Sequence, residues 1–99
     1  MNISHKAGDR AARINRWREA RLVDGFVWEG VAFQCDAASR QAIAARALRV
    51  QRTPETVSWR ATNNTSVAFE PEAFLAFADA VDIYAEQVMK ESWTLKDQN

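Results

Sequence analysis

Between Pro71 and about Lys96, apolar residues recur at helical spacing for longer than anywhere else in the chain, and this stretch limits what the rest can fold into. Phe74, Phe77, Ala78, Val81, Tyr84, Ala85, Val88 and Leu95 fall along one side of an α-helix. With a rise of about 1.5 Å per residue, that helix is roughly 35 to 40 Å long, enough to span a small domain. Four Trp and five Phe must be buried somewhere. The long helix offers the largest surface on which to bury them.

Upstream of it the signals alternate. From about Asp9 to Val23, Ala11, Ile14, Trp17 and Leu22 trace a helical stripe interrupted by Arg18, and Asp24-Gly25 stops it, glycine being the natural left-handed residue past a helix end. Residues 1–8, which include His5, have no periodicity and read as a flexible N-terminus. Phe26 to Cys35 is the clearest strand signal. If Glu29-Gly30 is a two-residue turn, Trp28 faces Val31 and Phe26 faces Phe33, with four large side chains on one side. A one-sided hairpin needs cover, for which the long helix is the natural candidate.

Asp36 is a good N-cap for a second helix, with Ser39 three residues on. Ile43, Ala44, Ala47 and Leu48 form its apolar side, Arg40, Arg46, Arg49 and Arg52 decorate the rest, and Thr53-Pro54 ends it. Val57–Arg60 and Ser66–Phe69 read as a second hairpin around Thr62-Asn63-Asn64-Thr65, where Asn tolerates positive φ. Glu70-Pro71-Glu72 then opens the long helix with proline at its first position and acid in its first turn. The expected architecture is a single small α+β domain over residues 9–97: helix, β-hairpin, helix, β-hairpin, long helix.

Chemistry is harder to place. The one His is His5, so neither a Ser/His/Asp nor a Cys/His arrangement has a positioned base. One His and one Cys do not make a zinc site of ordinary type. Gly8, Gly25 and Gly30 stand alone and form no phosphate-cradling loop. Asp79, Asp82 and Glu86 read as a solvated helix flank, and Cys35 as a small core residue rather than a nucleophile. The expectation is a non-enzyme with no cofactor, no metal and no catalytic residue.

Net charge is zero, yet residues 1–60 carry eleven Lys/Arg against six Asp/Glu and residues 61–99 carry two against seven. The opposite charges can meet within the fold or between subunits, or the basic part can face nucleic acid. Against specific nucleic-acid binding stand the neutral total, the absent recognition motifs, and Asp9 and Glu19 among the arginines. No stretch has the roughly 20 apolar residues of a membrane span. A single Cys forms no intrachain disulfide, which fits a reducing compartment or indifference to redox.

Two surfaces ask for a partner. Away from its main apolar seam, the long helix carries Ala73, Ala76, Ala80 and Ile83, small enough for another helix to approach closely, although alanines are also good helix formers. In the first helix, Trp17 has Arg13 four residues before it and Arg21 four after, so either guanidinium can lie over the indole. Both sets are candidate protein interfaces.

Several short motifs occur in the order and spacing of a known family. They are Ile14-Asn15 with Arg18, Gly25-Phe26 followed by Trp28-Glu29-Gly30, and Phe33-Gln34 with Asp36 and Ser39. Trp59, Asn63-Asn64, Val67, and a closing helix through Tyr84 to Trp93, Leu95 and Lys96 complete them. Over about residues 10–96 the chain resembles the domain of unknown function 4376 family, of tailed-phage and prophage proteins encoded in the tail-fibre region. Two features depart from the family pattern: Glu70-Pro71 stands where Thr or Ser is expected to cap the last helix, and the second helix is richer in Arg.

The resemblance implies a non-enzymatic structural or tail-fibre assembly role through protein–protein contact, with tail or tail-fibre proteins or further copies of the chain as partners. The implied location is the host bacterial cytoplasm during assembly, or the virion tail. It supplies no catalytic residue. The alternative is a small regulator whose Arg-rich helices bind nucleic acid or an acidic protein.

Overall fold

A computed structural model describes residues 3–98, with side chains from residue 9 onward. Three helices and two antiparallel hairpins follow one another: α1 (Ile3–Asp24), β1 (Phe26–Trp28), β2 (Val31–Phe33), α2 (Ala37–Arg52), β3 (Val57–Arg60), β4 (Ser66–Phe69) and α3 (Pro71–Asp97). The fold is α+β, in the order the periodicity predicts. Helix α1 begins six residues before the expected start at Asp9, since propagation adds one hydrogen bond per residue fixed and needs no apolar stripe. The expectations placed on residues 1–8 and on His5 lie outside the described side chains.

The first hairpin has the predicted register, Phe26 opposite Phe33 and Trp28 opposite Val31. Its turn residues Glu29 and Gly30 both have positive φ, 49° and 80°, the combination that matches strand twist in a two-residue loop. In the second hairpin Val57 pairs with Phe69 and Arg60 with Ser66. Asn64 takes φ 70° and accepts from Arg60 Nη1 at 2.9 Å, while Asn63 Oδ1 accepts from the Thr65 backbone amide at 3.1 Å and hydroxyl at 2.6 Å. The Thr62 amide donates to the Ala32 carbonyl at 2.9 Å and so ties the two hairpins together.

Caps close the helices. Asp36 accepts from the Ser39 amide at 3.4 Å at the start of α2, and the Thr53 amide donates to the Arg49 carbonyl at its end. Glu70 makes no side-chain cap bond to α3, whose first turn relies on Pro71 and Glu72. Gly25 (φ +102°) ends α1, its amide donating to the Arg21 carbonyl at 3.1 Å. A Cβ at Gly25 would stand 2.4 Å from the Phe33 carbonyl oxygen, so glycine is required twice over, by backbone conformation and by space.

Helix α3 is the common support. Helix α2 lies along its N-terminal half, where Ile43 and Ala47 approach Leu75, Ala78 and Val81. The hairpins cover its start, with Phe33, Phe69, Phe74 and Phe77 forming the aromatic centre; Phe77 lies 4.8 Å from Phe33, 5.0 Å from Phe69 and 5.8 Å from Phe74 by ring centroid. Helix α1 runs antiparallel along the C-terminal half: Arg10 Nη2 donates to the carbonyls of Leu95 and Gln98, and Arg21 pairs with Glu91. The molecule is therefore long, 58 × 26 × 19 Å, with a radius of gyration of 16.6 Å. A globular chain of this length has a radius of gyration of about 13 Å. A head of hairpins, α2 and the start of α3 carries a two-helix stem.

Two packing expectations need correction. Trp28, expected on the hairpin face that the long helix covers, is only half-buried, edge-on to Phe77 at 6.0 Å, because the three-residue strands bring it to the turn end of the hairpin. Ala44 and Leu48, read as the inner side of α2, are exposed, Leu48 by 62%. Ile43 and Val50 are the buried residues of α2. Ser92 is buried without having been expected, its hydroxyl satisfied by the Met89 carbonyl at 2.7 Å.

Candidate protein-contact surface

The cysteine is committed to structure. Cys35 is fully buried, its thiol donating to the Leu22 carbonyl at 3.2 Å and its amide to the same oxygen at 2.9 Å. Burial pushes that thiol up to about 11, with nearby Arg40 pulling it down and Asp36 pushing it up to lesser degrees. At neutral pH it is a neutral core thiol. Asp79, Asp82 and Glu86 are exposed, as the reading of a solvated flank requires. Among the described residues no group of three or more His, Cys, Asp or Glu could hold a metal ion, and no helix is long and apolar enough to cross a membrane.

The stem is where the surface is distinctive. Arg21 lies over Trp17 with its guanidinium carbon 5.1 Å from the ring centroid, approaches the Tyr84 ring at 5.9 Å, and pairs with Glu91. Of the two cations that sequence spacing placed beside Trp17, Arg21 takes the indole because Glu91 and Tyr84 of α3 hold it there. Partial burial lowers its proton affinity, but the hydrogen bonds to Glu91 and Tyr84 outweigh that, and the guanidinium ends above its ordinary value. Arg13 is exposed and borders the hollow beside Ile14 and Trp17. Arg10 holds the C-terminal carbonyls of α3, so it serves that helix as a capping cation.

The arginine-rich first helix is thus divided. Arg10 and Arg21 are spent on α3, Arg18 bonds Glu19 at 3.3 Å with its side chain mostly covered, and Arg13 and Arg16 remain exposed. Between α1 and α3 runs a groove of about 550 Å³ over Trp17 and Leu95, walled by Gln87, Lys90, Glu91 and Thr94. A smaller hollow of about 230 Å³ continues it past Ile14 to Arg10 and Arg13. Trp17 and Leu95 are shared by both.

The other predicted set lies on the same helix. Ala73 and Ala76 are exposed, Ala80 is half-buried, and Ile83 is 49% exposed. The two candidate sets are therefore not one patch: the small-residue strip occupies the N-terminal half of α3, and the Arg13–Trp17–Arg21 set borders its C-terminal half. The groove itself escaped sequence reasoning, although Leu95 on the apolar side of α3 and Trp17 on that of α1 were its signal. A second hollow of about 390 Å³ between α2 and α3, edged by exposed Leu48 with Leu75 and Ala78, was also unforeseen, because Leu48 was read as core.

No curated protein and no solved structure matches the chain. The motifs from Ile14 to Lys96 stand on a fold whose turns, caps and long closing helix explain their spacing, and a family profile matches from residue 5 to residue 99; the chain belongs to the domain of unknown function (DUF4376) family.

Proposed function

We propose that this chain is a non-enzymatic module of the tail apparatus of a tailed phage or prophage, part of the tail fibre or an assembly helper that binds it, acting by protein–protein contact. The observation that carries the contact reading is the stem. Two helices pack only along one side of each other there, leaving the Trp17–Leu95 groove, Ile83 and a Trp93 that is 52% exposed on the outside of an elongated domain. An open groove with apolar residues at its floor and charged residues on its wall fits a contact surface. The tail context is supported by the resemblance to proteins encoded in the tail-fibre region. The arginines support protein contact over nucleic-acid binding, since Arg10, Arg18 and Arg21 of α1 already have protein partners.

The test is co-expression with the neighbouring tail genes, comparing the wild-type chain with the double variant Ala80→Glu, Ile83→Lys. The expected result is that tail or tail-fibre proteins co-purify with the wild type and are lost with the variant. Failure of the wild type to retain any tail protein sinks the tail assignment.

A further inference from the structure

We propose that the outer face of α2 is a second contact surface, on which an acidic amphipathic helix of a partner protein docks, its apolar edge against Leu48 and its carboxylates against Arg49 and Arg52. This face is distinct from the stem, and the proposal stands without the tail assignment.

Charge is the first observation. Residues 37–69, which hold α2 and the second hairpin, carry five arginines and a single acid, Glu55. The head half of α3, residues 70–86, carries five acids and no Lys or Arg. Among the described residues no ion pair joins the two segments. Glu55 lies 3.3 Å from Arg49 and 4.0 Å from Arg46, and Arg52 has no acid in ion-pair range, so three arginines share one carboxylate. Arg49 keeps 57% of its side chain in solvent, and Arg52 is exposed. Acid that would balance this face has to come from a partner.

Geometry states the partner's shape. At 3.6 residues per turn, Leu48, Arg52, Ala45 and Arg49 fall in that order across about 100° of arc, roughly opposite the buried Ile43 and Val50. All four are exposed. On the Leu48 side the face runs into the hollow of about 390 Å³ against Leu75 and Ala78 of α3, and on the Arg49 side it ends at Arg46 and Glu55. The face is therefore graded from apolar to basic. An occupant needs an apolar edge with an acidic edge beside it, which an amphipathic helix supplies. Carboxylates at i and i+3 or i+4 on such a helix lie about 5–6 Å apart, the same separation that Arg49 and Arg52 have on α2. Ala45, between them and Leu48, leaves room for the two backbones to approach.

The same features favour a protein over a nucleic acid. Leu48, 62% exposed, stands within the face and has no counterpart on a phosphate backbone. Asp79 and Asp82 on the far wall of the hollow repel phosphates, and they keep a partner's acidic edge on the arginine side. From Arg46 to Arg52 the basic row is only about 9 Å long, too short for the many phosphate contacts that give nucleic-acid affinity. Arginine beside apolar residues, with no Lys, Asp or Glu anywhere in α2, is the composition of a protein interface.

Fluorescence anisotropy with the purified full chain tests this. The probe is a labelled helical peptide of about four turns, with Leu along one edge and Glu along the neighbouring edge. The wild type should bind it about tenfold or more tighter than the same peptide with each Glu replaced by Gln, and the difference should shrink as salt rises. The double variant Arg49→Gln, Arg52→Gln should lose that preference, while Leu48→Ser should weaken both peptides alike. All three positions are exposed, so circular dichroism should show the variants folded. Equal binding of the two peptides by the wild type overturns the proposal, as does a preference that survives the double variant. Duplex DNA bound more tightly than the Glu peptide at the same salt, and released by the double variant, overturns it in favour of a polyphosphate. Sedimentation of the wild type above 11.2 kDa, abolished by the double variant, overturns it in favour of a second copy's acids. The Ala80→Glu, Ile83→Lys comparison reads the stem separately from all of these.

Discussion

Gly25→Ala is the substitution for which the structure makes the sharpest demand. Its φ of +102° lies where an L side chain is strained, at a cost of about 1–3 kcal/mol. The added Cβ would lie 2.4 Å from the Phe33 carbonyl oxygen, against an ordinary contact that begins at 3.4 Å, so the α1 terminus and β2 must separate by about 1 Å. Nothing flexible can yield, because the opposing atom is backbone. The separation strains the bond from the Cys35 amide to the Leu22 carbonyl, whose loss is worth about 0.5–1.5 kcal/mol. Together these give about 2–4 kcal/mol. Gly30→Ala is the control: φ is +80°, but nothing lies within 4 Å of the added carbon, so only the backbone cost applies. Urea denaturation of the wild type and both variants measures the difference. Equal destabilisation by the two alanines would refute the close approach of β2 to the end of α1.

Removing the ring at the aromatic centre, Phe77→Ala, should cost about 3–5 kcal/mol by thermal or urea unfolding, and Trp28→Ala, from its half-buried rim, distinctly less. The raised Cys35 value gives a signed pH dependence: the folded state holds the proton more tightly than the unfolded chain, so this contribution is complete below about 9 and is lost as pH rises towards about 11. A thiol reagent at pH 8 should accordingly label Cys35 in the unfolded chain and leave the native protein unmodified. Rapid native labelling would show that the thiol is not enclosed. Duplex DNA or RNA should bind no tighter than about 10⁻⁴ to 10⁻⁶ M near physiological salt, and nanomolar, sequence-dependent binding in an anisotropy titration would restore the regulator reading.

What the residues determined alone is what neighbours in the chain decide among themselves. The register Phe26 to Phe33 follows from a two-residue turn at Glu29-Gly30, the start of α2 from Asp36 and Ser39, the left-handed residues from Gly25 and Asn64, and the inner side of α3 from Phe74, Phe77, Val81 and Val88. Each is a matter of sterics or periodicity over a few residues. The tertiary structure decided which half of α3 each helix takes. That choice left Leu48 outside, carried Trp28 to a rim, and gave Arg21 rather than Arg13 to Trp17. It also separated the two candidate surfaces along α3 and opened the groove between Trp17 and Leu95. Those outcomes depend on contacts such as Arg21 with Glu91 and Arg10 with Leu95, 70 and 85 residues apart, and no local pattern encodes how the chain closes across such distances.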